Sequence, residues 1–373
     1  MCVAASCRSP TCPGSDVQAA LERIADRIRA SAGGGSLRLR GGGTKDFYGG
    51  PLAGDVLDLR EYAGIVAYEP TELVVTARCG TPLSELEAAL AERGQMIPFE
   101  PPHFGAEATV GGCVAAGLAG PRRAANGPYY GAVRDYVLGC VLVDGRGESL
   151  RFGGQVMKNV AGYDVSRLAT GSMGTLGPIV EVSLKVLPVP VACATLRFAL
   201  DEADAIAKLN EWGGRPMPVS ASAWHDGTLT LRLEGAGAAV DASCATLGGT
   251  SADEGVAAQF WQGVREQADP FFSTPGPLWR VSVPPTAAPM ALKGRQFLEW
   301  GGALRWWKTE AGASEVRAAA KAAGGHATLF RGGDRASGVF APLDPVLARL
   351  HRNVKAVFDP TGLFNRGRMY PEW

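Results

Sequence analysis

A chain of 373 residues is longer than one compact core usually fills, so its length implies two or three packed units. Hydrophobic residues make up 46%, which excludes wholesale disorder, and 37 basic residues balance 37 acidic ones, which gives no electrostatic ground for nucleic acid or an anionic membrane as main partner. The 50 glycines follow no strict period, which excludes collagen; they gather in short clusters where backbone must turn tightly or approach something closely.

Residues 1–14 carry Cys2, Cys7 and Cys12, lack the apolar run of a secretory signal, and read as a disordered tail with reduced thiols. No C-x-x-C element accompanies them, so an iron–sulfur site is not expected there. Cys79, Cys113, Cys140 and Cys193 lie among apolar residues and read as small core residues. Val17, Leu21, Ile24 and Ile28 recur at helical spacing, predicting a helix over 16–32 with Ser15 as its cap and Gly33-Gly34-Gly35 as its end. Strands follow at 37–39, 56–59 and 72–77, then a helix over 83–93 that opens after Pro82 and closes at Gly94. Pro101-Pro102 and 108–112 open a small-residue segment. The uncharged stretch 108–120 is too short and too glycine-rich to span a bilayer, so the chain is expected in the cytoplasm, meeting a membrane only through a partner.

A buried strand over 135–144, its hairpin mate over 148–152, a helix over 164–169 and a strand over 177–187 complete a second unit. Pro188-Val189-Pro190 marks the expected domain boundary. Beyond it, strands alternate with helices, including one over 201–212 and an Asp226-Gly227 hairpin turn, which predicts an antiparallel sheet backed by helices. A helix over 345–358 and a tail over 359–370 finish the chain.

Three glycine loops carry the chemistry: Arg40-Gly41-Gly42-Gly43-Thr44-Lys45, Ala108-Thr109-Val110-Gly111-Gly112, and Gly171-Ser172-Met173-Gly174-Thr175-Leu176-Gly177. Backbone without Cβ atoms can turn N–H groups inward around an anion such as a pyrophosphate. The chain has no G-x-x-x-x-G-K-[ST] P-loop, and no G-x-G-x-x-G placed for a Rossmann site.

In this order R-G-G-G-T-K, A-T-V-G-G-C-V-A-A-G, Y-G-A-V-R-D-Y-V-L-G and G-Y-D-V-S-R-L-A-T-G-S-M-G-T-L-G resemble the FAD domain of the vanillyl-alcohol-oxidase superfamily. The ending F-D-P-T-G-L-F-N-R-G-R-M-Y is similar to that superfamily's C-terminal return to the flavin. The phrases G-P-R-R, V-M-K-N-V-A-G-Y-D and W-G-G-A-L-R-W are similar to the smaller flavin subunit of bacterial glycolate oxidase. The resemblance implies an α+β fold: a two-lobed PCMH-type FAD-binding domain over 15–190, an antiparallel sheet-plus-helices cap domain over 191–344, and a C-terminal return to the flavin over 345–373. It places the FAD pyrophosphate along Gly41, Gly42, Gly43, Thr44 and Lys45, and the pyrophosphate and ribityl chain along Thr109, Val110, Gly111 and Gly112. Gly174, Thr175, Gly177, Ile179 and Val180 lie at the adenine end, and Asn365 to Arg368 approach the isoalloxazine ring. Arg40, Pro101, Gly117, Arg122, Gly131, Arg134, Asp135, Gly171 and Ser172 join the cofactor-binding set. Thr44 and Lys45 stand where many relatives carry a histidine that attaches flavin covalently, so non-covalent FAD is expected.

Oxidising a small 2-hydroxy acid needs a cation for the carboxylate and a base for the hydroxyl proton. Arg305, Arg331 and His326 are the candidates. His103, His225, His326 and His351 stand far apart, so no metal site is expected, unlike the histidine cluster of catalytic relatives for D-2-hydroxy acids. The resemblance implies an FAD-binding subunit of a glycolate-oxidising complex, whose partners are a larger FAD-containing catalytic subunit and an iron–sulfur subunit. Two alternatives stay open: an electron-transfer or assembly subunit whose flavin never meets substrate, and a stand-alone sugar or alditol oxidase.

Overall fold

The structure is a computed structural model that describes residues 13–123, 131–154 and 164–373. The expected tail therefore lies outside the described residues up to residue 12, as do most of V-M-K-N-V-A-G-Y-D and the tyrosine that opens Y-G-A-V-R-D-Y-V-L-G. Helix α1 (Pro13–Ser31) starts two residues ahead of the expected cap, so Ser15 falls inside it. Its Ala20, Ile24 and Ile28 are buried over strands β1 (Leu37–Arg40) and β2 (Asp55–Asp58), which pair in parallel. Leu363 and Phe364 from the chain's end enter the same core, and Phe364 bridges Leu37 from the other side. The first lobe is thus closed by the C-terminus.

Strands β3 (Ile65–Glu69) and β4 (Val74–Arg78) precede helix α2 (Leu83–Ala91), the short strand β5 (Gln95–Met96) and helix α3 (Val110–Ala116). Helix α4 (Val133–Tyr136) leads into strand β6 (Val137–Val143) and its hairpin mate β7 (Ser149–Gly153). Helix α5 (Val165–Ala169), strand β8 (Ile179–Lys185) and the short β9 (Leu187–Pro188) end the N-terminal half. The second lobe is an antiparallel sheet in the order β3-β4-β8-β6-β7. β6 is an almost unbroken apolar run because it lies inside the sheet, with β8 on one side and β7 on the other. β3 was not expected: as an edge strand with Val66 exposed, it lacks a strong apolar alternation. Helix α3 was not expected either, since Gly111 and Gly112 are poor helix formers. Packing overrides propensity there, and Thr109 accepts a capping bond from the Gly112 N–H at 3.2 Å.

The second half is one antiparallel sheet of eight strands. Strand β10 (Ala192–Ala199), helix α6 (Glu202–Gly213) and the hairpin of β11 (Val219–His225) with β12 (Thr228–Gly235) come first. Asp226 and Gly227 both have positive φ, as their two-residue turn requires. Helix α7 (Gly237–Leu247), the short β13 (Thr250–Ser251), helix α8 (Glu254–Arg265) and helix α9 (Pro270–Ser273) follow. Strands β14 (Leu278–Ser282), β15 (Arg295–Glu299) and β16 (Leu304–Lys308), helix α10 (Ala313–Ala322) and strand β17 (His326–Arg331) complete the order β13-β10-β12-β11-β15-β16-β14-β17. Helix α11 (Pro345–Phe358) then leads back to the first lobe. Cys79, Cys113 and Cys140 are buried, but Cys193 is exposed, because the alternation along β10 turns it outward.

Buried charges bind the two halves together. Arg122, just after α3, pairs with Glu234 of β12 at 2.9 Å and with Glu100 at 3.3 Å. Arg232 joins Glu100 at 2.9 Å and Glu234 at 3.2 Å. Burial alone would raise the Glu100 carboxyl, but Arg232 and Arg122 hold it below its ordinary value. Replacing Arg122 by Met leaves two buried carboxylates sharing one guanidinium, and should cost about 3 kcal/mol of stability in urea unfolding at neutral pH. Because the Glu100 value is depressed on folding, this contribution is complete above the ordinary carboxylate range and fades as pH falls through the folded value. An unchanged unfolding midpoint for the variant would contradict the assignment.

Candidate functional site

A cleft runs between the two lobes of the N-terminal half. It is lined by the first glycine loop, the N-terminal end of α3, the third glycine loop with the start of β8, and the chain's end at Asn365 and Arg368.

The first loop leaves β1 and presents the consecutive amides of Gly41, Gly42, Gly43, Thr44 and Lys45, none of which has a hydrogen-bond acceptor among the described residues. Residues 41–45 are part-exposed along the cleft, so an acceptor bound there would take the place of water on these N–H groups. Arg40 lines the cleft beside it. A row of main-chain donors with an adjacent guanidinium fits a diphosphate. Lys45 donates to the His103 carbonyl at 3.2 Å and stands 5.7 Å from the Phe104 ring centroid. Burial draws its ammonium below the ordinary lysine value, although Cys113 and Glu266 oppose this.

The glycines divide by task. A Cβ on Gly42 would lie 1.5 Å from the Glu107 carbonyl oxygen, and one on Gly41 would lie 2.3 Å from Thr109 Oγ1. These two permit the first loop to press against the second. Gly111 likewise lets α3 approach Cys79, where a Cβ would come within 2.6 Å. Gly112 differs: its Cβ would meet only Thr109 Oγ1, at 3.2 Å, and the residue lines the cleft. Gly112 is the glycine whose missing side chain leaves room for a ligand.

The chain's end locks the loops in place. Asn365 accepts from the Leu39 N–H at 2.8 Å, donates to the Met173 carbonyl at 2.7 Å, and gives its own N–H to Leu37 at 2.9 Å. Its amide is therefore spent on protein, and Asn365 acts as a clamp at the cleft wall. Lys355 of α11 donates to Thr175 at 2.6 Å and to Phe364 at 3.1 Å. Arg368 reaches the carbonyls of Asp46, Tyr48 and Gly50 beyond the first loop, and burial draws it down to about 10.

Of the residues expected to bind cofactor, the cleft gathers Arg40, Gly41, Gly42, Gly43, Thr44, Lys45, Thr109, Gly111, Gly112, Gly174, Gly177, Ile179 and Asn365. Others serve elsewhere. Arg122 is consumed in the buried ion-pair network, Pro101 accepts from Arg265, and Val110 and Val180 are core. Gly117 and Gly171 pack against each other behind α3, where a Cβ on Gly117 would lie 2.9 Å from Gly171. Asp135 caps α4 through the Ala132 N–H, and Gly131 and Arg134 flank it. Ser172 and Thr175 are buried, with the Thr175 hydroxyl bonded to the Ser172 carbonyl. Met173 of the third glycine loop and Arg368 of the C-terminal return also line the cleft, as does a set the sequence does not mark: Leu39, Asp46, Cys79 and Ala115.

The expected catalytic residues part company. Arg305 is fully buried and gives its guanidinium to the carbonyls of Ala287, Ala288 and Gly302, so it braces the loop before β15 and takes no part in the cleft. His326 opens β17 at an exposed position; partial desolvation of its ring, with Arg280 nearby, draws it below the ordinary histidine value. Arg331 alone approaches the first loop, with its guanidinium 4.3 Å from the Phe47 centroid and 5.6 Å from that of Phe104. His103 does not line the cleft; its ring meets Glu87 at 3.0 Å.

The FAD binding domain family matches residues 16–153. Glycolate oxidase subunit GlcE of Escherichia coli is 51% identical over 355 residues, covering 95% of this chain and 97% of that protein. Glycolate oxidase subunit GlcD of Bacillus subtilis is 34% identical over 172 residues, 45% of this chain and 35% of that protein. Among solved structures, alkyldihydroxyacetonephosphate synthase shares the fold with a TM-score of 0.62 at 15% identity, covering 92% of this chain and 74% of that one.

Two substitutions separate the glycine roles. Gly112→Leu should give a folded protein, melting within about 3 °C of the parent, that carries little or no yellow colour. Gly42→Val should lose colour and melting temperature together, because the loops can no longer meet. Full colour in Gly112→Leu would contradict the cleft assignment; absorbance spectra and thermal unfolding decide.

Proposed function

This chain belongs to the GlcE family of glycolate oxidase subunits, and from that premise we propose that its FAD takes part in the oxidation of glycolate to glyoxylate within a multi-subunit assembly. The observation that carries the cofactor is the run of unpartnered amides at 41–45 facing a cleft that Gly112 keeps open. FAD, when bound, supplies a two-electron acceptor for the hydride of a 2-hydroxy acid. The chain's own part is to bind and orient. The amides of 41–45 and the Arg40 guanidinium hold the diphosphate, and the apolar surface of Leu59, Cys79 and Ile179 covers less polar parts of the dinucleotide. Lys45 keeps a cation beside Phe104, at the end of the first loop. Thr44 and Lys45 occupy the loop positions where a covalent attachment would start, and the described lining contains no histidine, which supports non-covalent FAD.

GlcD-type and iron–sulfur subunits are the proposed partners, the first from the relatives' names and the second from the need for a one-electron outlet. No helix among the described residues is long and apolar enough to cross a membrane. An electron-transfer role gains weight from Arg305, whose guanidinium is spent on backbone carbonyls.

Anaerobic mixing of the purified chain with glycolate tests the reading. Bleaching of the flavin band in the isolated chain assigns it direct oxidation, and bleaching only with a GlcD-type partner assigns it electron transfer. An unchanged oxidised spectrum in both settings contradicts a part in glycolate oxidation.

A further inference from the structure

A second, smaller cavity lies where the eight-stranded sheet meets the flavin half. It and the flavin cleft are lined by neighbouring stretches of chain. Phe104, whose ring faces Lys45, lines it, and Leu118, Ala119 and Gly120 line it directly after α3, whose Ala115 and Ala116 line the cleft. Phe330 and Trp306, 4.8 Å apart between ring centroids, give it an apolar side.

Its polar groups are incomplete without a guest. Arg280 of β14 lines the cavity and has no ion-pair or hydrogen-bond partner among the described residues; its guanidinium only flanks the Trp300 ring, at 5.3 Å. Gln267 is 8% exposed, and its amide oxygen is buried without a donor. Glu299 is 4% exposed and bonded at one oxygen to Trp306 Nε1, at 2.6 Å. An unpaired cation, an acceptor lacking a donor and a carboxyl group around so small a space match a molecule with one carboxylate and an adjacent hydroxyl.

Resting on the reading of the chain as a glycolate oxidase subunit, we propose that this cavity receives a small 2-hydroxy acid, with Arg280 holding its carboxylate and Gln267 accepting a hydrogen bond from its 2-hydroxyl group. Glu299 tunes the site. Burial pushes its carboxyl up to about 8, opposed by the Trp306 bond and by Arg280. Below that value Glu299 is neutral, and Arg280 is free for the anion. Above it, a Glu299 carboxylate competes for Arg280, and binding weakens. The other charged groups around Glu299 are Arg265 of α8 in the same cavity wall, Glu100 behind it, and Arg123, which stacks on Trp300 at 4.4 Å.

The test titrates glycolate and acetate into the FAD-loaded chain, read by calorimetry and by the fluorescence of the tryptophans at the cavity. Wild type should bind glycolate more tightly than acetate. Arg280→Met should weaken glycolate about thirtyfold or more, with FAD content and melting temperature retained. Arg280→Lys should fall between the two, and Gln267→Leu should abolish the preference for glycolate over acetate. Between pH 7 and pH 9, roughly one unit either side of the Glu299 value, wild-type affinity should fall while Glu299→Gln stays level. Wild-type affinity in an Arg280→Met protein that keeps its FAD would overturn the proposal, as would no glycolate binding by a wild-type chain that is fully loaded. Should Arg280→Met not fold, equal glycolate affinity in Arg280→Lys and wild type, with the preference intact in Gln267→Leu, overturns it instead. A wild-type pH profile as level as that of Glu299→Gln would overturn the part given to Glu299. The functional reading fails separately, when glycolate leaves the flavin oxidised both alone and with the partner subunit.

Discussion

Main-chain donors without acceptors are the constraint around which this molecule is arranged. Residues 41–45 line a cleft with no protein acceptor for their five successive amides, so the loop is held in place by contacts other than its own hydrogen bonds. These are close contacts between loops. Gly41 and Gly42 let the first loop touch Thr109 and Glu107, and Gly174 lies against Asn365, which also ties β1 to the third loop. The cradle is therefore built by segments more than three hundred residues apart in sequence, and closes only when the C-terminus returns.

The eight-stranded half is held to this cradle by polar contacts that are specific in direction. Glu266 at the end of α8 accepts from the N–H groups of His103 and Phe104, Arg265 reaches Glu87 and Pro101, and the Trp300 ring donates to the Gly120 carbonyl at 3.0 Å. Arg335 reaches the carbonyls of Phe47 and Gly49, beside those that Arg368 holds. The segments that end the first loop and follow α3 are thereby gripped from both sides. Such pre-organisation reduces the ordering cost of binding, and it sets Phe104 and the smaller cavity at a fixed distance from Lys45.

Much of this was legible from residues alone. The first loop follows an alternating strand and carries three glycines, a pattern with few structural uses, and its members all line the cleft. The type of most elements followed from apolar periodicity, as in α1 and the β11–β12 hairpin. What stayed hidden depends on long-range pairing. Arg122 and Arg305 are basic residues beside glycines in sequence, and only the fold shows that carboxylates claim one and backbone carbonyls the other. The glycines look alike in sequence, yet a Cβ on Gly42 would run into backbone while one on Gly112 would meet only the Thr109 hydroxyl. Arg280 and Glu299 stood in strands of ordinary appearance, and their meeting at one cavity needed the sheet order to be known.

Diphosphate recognition is read out by the affinity of the apoprotein for FAD compared with FMN, since FMN carries the isoalloxazine ring and a single phosphate but lacks the diphosphate bridge. If amides 41–45 recognise that bridge, FAD should bind about a hundredfold or more tightly than FMN, a difference of about 2.7 kcal/mol or more. Equal affinity for the two flavins would contradict it.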